Sequence, residues 1–288
     1  MRKPPILWHY TDVHGALGII QQGQLRLGDA RFLNDITERR YGNDLVAKTL
    51  EEERGVATEM YPNRSDIDKL LRKTASFMEP AANVSSLYLC SFSETPESIS
   101  QWQRYAADGH GYCLGFDATL LKRVTPLRLL KMSYQPSRQR ALIQLEIHRV
   151  IQSYLAGGLD EIVPLTRRRR LDYLSLHFRR LLEPVALRLK NPRFEDEHEW
   201  RLIRQYAEVA ADKPDVMFAA RGSYPKPFVS VPLHIARRGR RTGLPLLKVI
   251  CGPRLQNDLA RMSMRHLLDT KGHSEVSVET SPLQQAWR

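Results

Sequence analysis

Segments that alternate apolar and polar side chains stand at both ends of this chain, and a stretch with helical periodicity separates them. Residues 6–12 read as a short strand, followed by a helix over Val13–Gln22 that Gly23 stops, then by an extended segment over 24–29. Residues 87–93 alternate Tyr88, Cys90 and Phe92 with Leu89, Ser91 and Ser93, and residues 111–116 are rich in strand formers. The short helix between them carries Ile99, Trp102 and Tyr105 at helical spacing, with Ser98 or Ser100 to cap it. Strand patterns return at 197–203, 227–233, 244–252 and 274–279, with one amphipathic helix near 257–269 whose apolar positions include Leu259, Met262, Leu267 and Leu268.

Strands at both ends around a helical middle predict one α+β domain over residues 1–288, with a mixed sheet completed late in the chain. Residues 136–190 form a helical insertion in this reading, with Leu142, Leu145, Val150, Ile151 and Tyr154 on one stripe. The charged segments 41–60 and 66–79 are expected as surface helices.

Composition removes several classes of function. Cys90, Cys113 and Cys251 are far apart with no CxxC pair, which predicts core thiols and neither a disulfide framework nor a thiolate zinc site. The nine histidines hold no HxxxH spacing, so no metal is expected. No apolar run approaches membrane-spanning length and the first residues do not read as a secretory signal, so the expectation is a cytoplasmic protein without membrane contact. The net charge is +12, and Arg167, Arg168, Arg169 and Arg170 form a run at the start of the second insertion helix, where the helix dipole disfavours positive charge. That run is the candidate contact for RNA or DNA, drawn by counterion release; its bland reading is a set of solvated arginines.

The densest chemistry lies at EDEHEWRLI, residues 195–203. If 197–203 is extended, Glu197, Glu199 and Arg201 share one side of the strand. Neighbouring carboxylates repel, so such a pair either serves chemistry or is neutralised by Arg201. If repulsion alone acted there, alanine at either position would raise stability. Asn34, Asp35 and Glu38 form a second polar group, read first as the cap and first turn of a helix beginning near Ile36.

WHYT at 8–11, FLND..E at 32–38, LCSFSE at 89–94, SQWQRYA at 100–106, GYCLGFD at 111–117, F..E.EWR at 194–201 and VICGP at 249–253 occur in an order that resembles the bacterial domain of unknown function 2971 family, which includes AbiGi-like abortive-infection proteins. The resemblance covers nearly the whole chain and is weakest over 41–80 and 136–190. The succession of a His-Tyr-Thr strand, a Ser-x-Ser strand and a Glu-x-Glu strand is similar to the layout of ADP-ribosyltransferases, which bind NAD in the cleft of a split sheet. That likeness implies a split, mostly antiparallel sheet of ADP-ribosyltransferase-like type with NAD as substrate. Glu199 would then stabilise the oxocarbenium-like charge through the ribose hydroxyl, and Glu197 would orient or deprotonate the acceptor. It further implies cofactor contacts from His9, Tyr10, Thr11, Ser91, Ser93 and Tyr105. His9 serves equally as a core histidine bonded to backbone, and the serines as backbone partners.

The leading expectation is therefore an NAD-dependent ADP-ribosyltransferase or toxin-like effector in anti-phage defence or inter-bacterial conflict. Its acceptor would be RNA, DNA or a nucleic-acid-associated protein, and an antitoxin or phage trigger its further partner. The alternatives are a nuclease holding Mg²⁺ on Asp35, Glu38, Glu197 and Glu199, or a non-catalytic nucleic-acid-binding sensor of infection.

Overall fold

A computed structural model describes residues 5–33, 36–78, 87–124, 127–157, 167–206, 215–221, 224–233, 236–237, 240–241 and 243–287. The chain forms two compact units: Met1–Asp29, Leu87–Lys131 and Asp196–Arg288 make the first, and Ala30–Ser86 with Met132–Glu195 the second.

The first unit is built on a ten-stranded sheet. Strand β1 (Ile6–Thr11) leads into helix α1 (Val13–Gln22), whose start is capped by the Asp12 carboxylate accepting from the Gly15 N–H at 2.7 Å. Gly23 ends α1 in the left-handed region, with φ 64°, and the chain turns into β2 (Gln24–Asp29). The other strands used below are β3 (Leu87–Ser93), β4 (Tyr112–Asp117), β5 (Arg128–Lys131), β6 (Glu199–Gln205), β7 (Met217–Arg221) and β8 (Tyr224–Pro232). A two-stranded ribbon of β9 (Ala236–Arg237) and β10 (Arg240–Arg241) precedes β11 (Leu246–Cys251) and β12 (Ser277–Thr280).

The strand order is β12-β11-β4-β1-β3-β2-β8-β7, with β6 beside β3 and β5 beside β6. Among the described strands only β11 and β12 run parallel; the other pairs are antiparallel, as a mixed, mostly antiparallel sheet requires. Strand β3 is the hinge of this arrangement. One edge is covered along its length by β6, from Leu87↔Gln205 to Ser93↔Glu199. The other edge is shared: β1 meets it at Trp8↔Ser93, and β2 meets it at Gly28↔Leu89 and Asp29↔Tyr88. Between those contacts β1 and β2 diverge, β1 to pair with β4 and β2 with β8.

Alternation gives the sheet two cores. Leu7, Leu27, Phe92, Leu114, Phe116, Leu202 and Val229 pack on one face with Ile19 and Ile20 of α1. On the opposite face Trp8, Tyr10, Cys113 and Ile250 pack with Trp102 and Ala106; Trp102 belongs to helix α4 (Ile99–Tyr105), and a short helix α5 (Ala118–Leu121) follows β4. Cys90, Cys113 and Cys251 are buried free thiols, as their spacing predicted.

The second unit is helical. It joins α6 (Pro136–Leu155) and α7 (Arg167–Ala186), the helices expected over 136–190, to α2 (Ile36–Met60) and α3 (Ser65–Phe77). The expectation of surface helices at 41–60 and 66–79 is corrected: Val46, Leu50, Ile67 and Leu71 are buried with Ile143, Ile147, Ile151 and Leu182. A single four-spaced apolar stripe suffices to bury a helix whose other faces are charged, and the charge concealed it. Two further stripes are shifted. Leu145 is exposed while Ile143 and Ile147 are buried, and in α8 (Asn257–Thr270), in the first unit, Leu259 and Met262 face solvent while Met264 and Leu268 are buried. Among the described residues no helix is long and apolar enough to cross a membrane.

Candidate functional site

Three of the strands that carry the sequence marks are consecutive neighbours in the first unit: β6, β3 and β1. Glu199, Ser93 and Trp8 stand directly opposite one another across them, so the Cα atoms of Glu199 and Trp8 are about 10 Å apart at the usual strand spacing. Directly opposed residues share a face, so Ser91, Ser93, Glu199 and Arg201 lie on one side of the sheet with Trp8 and Tyr10.

The strand begins later than its sequence suggested. Glu197 closes a 3-10 turn (Pro192–Glu197), and His198 has a φ of 43°, which breaks the alternation before β6 starts at Glu199. Glu197 therefore does not share a strand face with Glu199, a correction to the extended reading of 197–203. Hydrogen bonds to the end of β3 hold this kink: Ser93 Oγ donates to the Glu197 carbonyl at 2.8 Å, and Glu94 N donates to the His198 carbonyl at 3.1 Å. Ser93 Oγ also accepts from Thr95 N at 3.1 Å. Ser93 thus positions the Glu197–Glu199 turn, while Ser91, on the same face, is exposed.

Both carboxylates are buried and both have arginine partners. Arg201 grips Glu199 with two bonds, Nε to Oε1 at 2.8 Å and Nη2 to Oε2 at 3.0 Å, and the two side chains are 3% and 7% exposed. Glu197 accepts from Arg104 Nη1 at 3.2 Å, with Arg104 itself 55% exposed. A carboxylate offers about four lone-pair sites, so the fork on Glu199 uses one on each oxygen and fixes the plane of the group.

His9 projects to the opposite face, at the place where β1 and β2 part. Its Nδ1 lies 2.9 Å from the Ser91 carbonyl, and its ring packs against Phe92 with centroids 5.5 Å apart. Donation to that carbonyl puts the proton of a neutral ring on Nδ1 and makes Nε2 the accepting nitrogen. On the same side, Glu94 accepts from Lys131 at 2.7 Å and from Trp200 Nε1 at 2.8 Å. Burial acts to raise the Glu94 carboxyl, but the bonds from Lys131 and Trp200 together with the charge of Lys131 and His198 outweigh it and hold the group below its ordinary range.

Tyr10 is a core ring. It meets Trp102 edge-on at 5.0 Å, and its hydroxyl donates to the Thr95 carbonyl at 2.8 Å and accepts from Ser98 N at 3.0 Å. Burial pushes its phenol far above the ordinary value. Thr11 is likewise buried, and Tyr105 is half-buried against the Trp8–Trp102 cluster. Arg169 and Arg170 are exposed at the start of α7 in the other unit; the side chains of Arg167 and Arg168 lie outside the description. Asn34 and Asp35 lie outside the described residues, and Glu38 is paired with Lys190 at 2.8 Å in the second unit. Among the described residues no three His, Cys, Asp or Glu side chains gather as metal ligands.

Sequence reasoning did not find Arg104, Glu94 or Glu97. Glu97 accepts from Trp102 Nε1 at 3.2 Å and from Ser281 Oγ at 2.6 Å, and burial pushes its carboxyl above the ordinary range despite those bonds. The charged form is disfavoured in the fold, so stability should fall as pH rises through the raised value and be regained below the ordinary glutamate pKa of about 4.3. Thermal melts of the wild type and Glu97→Gln across that window should show a flatter pH dependence in the variant; identical slopes would refute the assignment.

A family described as Protein of unknown function (DUF2971) has a model that matches residues 101–202. The span runs from α4 to the Glu199–Arg201 strand and contains both arginine–glutamate pairs. No curated protein and no solved structure matches the chain.

Proposed function

We propose, for a chain that belongs through residues 101–202 to the DUF2971 family, an enzyme that transfers ADP-ribose from NAD, with Glu199 at its centre. The observation that carries this reading is the adjacency of β6, β3 and β1, whose Glu, Ser and His marks lie far apart in the chain, along a seam where the sheet divides. A sheet that parts along β3 is the kind of cleft in which a dinucleotide can lie extended. The role in bacterial conflict expected from the family resemblance belongs to the same proposal.

Cleavage breaks the bond between C1′ of the nicotinamide ribose and the ring nitrogen. The bonding pair goes to nitrogen and neutralises the pyridinium, so positive charge develops on the ribose. Glu199, held in one plane by Arg201, accepts from the ribose hydroxyl and stabilises that charge as it forms, without having to reorganise. The acceptor's oxygen or nitrogen then bonds to C1′ and releases its proton, and Glu197, two residues before Glu199, is the base in this reading. His9, on the opposite face of the sheet, keeps the core role of a ring bonded to the Ser91 carbonyl and packed on Phe92. Ser93 and the His198 kink orient the two carboxylates, acting as positioning groups rather than contacts to NAD.

Purified protein incubated with NAD, in the presence of cell lysate and of chelator, should release nicotinamide at a rate that chelator does not change. A second reading is favoured by the Glu199–Arg201 bond itself, because a buried bidentate pair also serves a binding protein as pure structure. Absence of nicotinamide release in every condition would leave that reading in place.

A further inference from the structure

From the face that β2 and β8 turn to the same side as Glu199, we infer that the acceptor is single-stranded nucleic acid, lying in a trough whose floor is Gly28. This rests on the transferase reading for its chemistry, but the surface is argued independently. Gly28 stands between Leu89 of β3 and Phe228 of β8 in the sheet register. A Cβ at Gly28 would meet nothing within 4 Å, so the space above it is open. Arg26, two residues earlier and on the same face, lays its guanidinium over the Phe228 ring at 4.9 Å and is exposed, with no carboxylate partner among the described residues. Farther along β8, Lys226 sits 5.5 Å from the ring of Tyr224, which is 51% exposed.

Charge on these strands has one sign toward this face. On β2 and β8 the charged side chains of this face are Arg26 and Lys226, and the one carboxylate of the two strands, Asp29, is 2% exposed and alternates to the opposite face. A polyanion fits such a surface. A guanidinium plane seated on a ring and an exposed tyrosine ring offer flat faces for unpaired bases, which a duplex keeps stacked inside its helix. The acceptor nucleophile would be a base nitrogen or a sugar hydroxyl that bonds to C1′ and loses its proton as nicotinamide departs.

Fluorescence anisotropy with the full chain and labelled single-stranded DNA, single-stranded RNA and duplex DNA of equal length tests this without NAD. The single strands should bind more tightly than the duplex, and the DNA and RNA arms separate the two sources of the shared chemistry. Arg26→Ala should weaken single-strand binding and reduce its salt slope by about 0.7. Gly28→Leu, which places a side chain in open space, should weaken binding at least about tenfold while melting like the wild type. Equal or tighter duplex binding, or unchanged affinity in both variants, would overturn the inference. Radiolabelled NAD should transfer label to the bound strand; label confined to protein would also overturn it. Nicotinamide release without strand binding fails this surface alone, and strand binding without nicotinamide release fails the transferase reading alone.

Discussion

Glu199→Gln should lower nicotinamide release from NAD at least about a hundredfold, the usual loss when one oriented electrostatic stabiliser is removed from a developing charge. Glutamine is the informative replacement because it keeps the shape of the side chain and an oxygen for Arg201, while the negative charge that the ribose cation requires is gone. Binding of NAD should change far less than turnover, since the interaction strengthens in the transition state. Turnover by Glu199→Gln at the wild-type rate would remove Glu199 from the chemistry and leave its pair with Arg201 a structural one.

Arg201→Ala should destabilise the chain by about 3–5 kcal/mol, because it strips the guanidinium from a buried carboxylate. The double change Glu199→Leu with Arg201→Met should recover most of that loss, as apolar replacement of a buried ion pair is often neutral. Urea denaturation of Glu199→Leu, of Arg201→Met and of the double variant measures the coupling directly. A loss within about 0.5 kcal/mol for Arg201→Ala would mean that the pair is solvated and weak. The pair is the neutralised alternative that the spacing of Glu199 and Arg201 allowed. Repulsion between Glu197 and Glu199 would make alanine stabilising, but the kink at His198 separates them and gives each an arginine.

Much of the local structure was legible because its causes are local. Helix α1 has the expected bounds, since Asp12 caps it and Gly23 adopts the left-handed turn that ends it. The Ser-x-Ser segment is a strand over Leu87–Ser93, and the alternation of Glu199 and Arg201 places them on one face, where they bond. The misread stripes had a different cause. In α6 and α8 several apolar residues surround the helix, and which of them is buried depends on the partner element, so Ile143 and Met264 are inside while Leu145 and Met262 are not. Glu197 was misplaced because a positive φ at a non-glycine residue leaves little trace in composition; it persists where tertiary hydrogen bonds from Ser93 and Glu94 hold the turn.

Period and capping, properties of a few consecutive residues, settled from residue order alone that an α+β chain with buried thiols and a Glu-x-Arg strand would form. Which strands became neighbours was a matter of long-range pairing. Trp8 meets Ser93, and Ser93 meets Glu199, across sequence separations that no local preference spans. Burial then decided the state of the charges: Arg201 and Glu199 share an interior where an unpartnered carboxylate is costly, so tertiary packing converted a row of neighbouring charges into one oriented carboxylate beside a divided sheet.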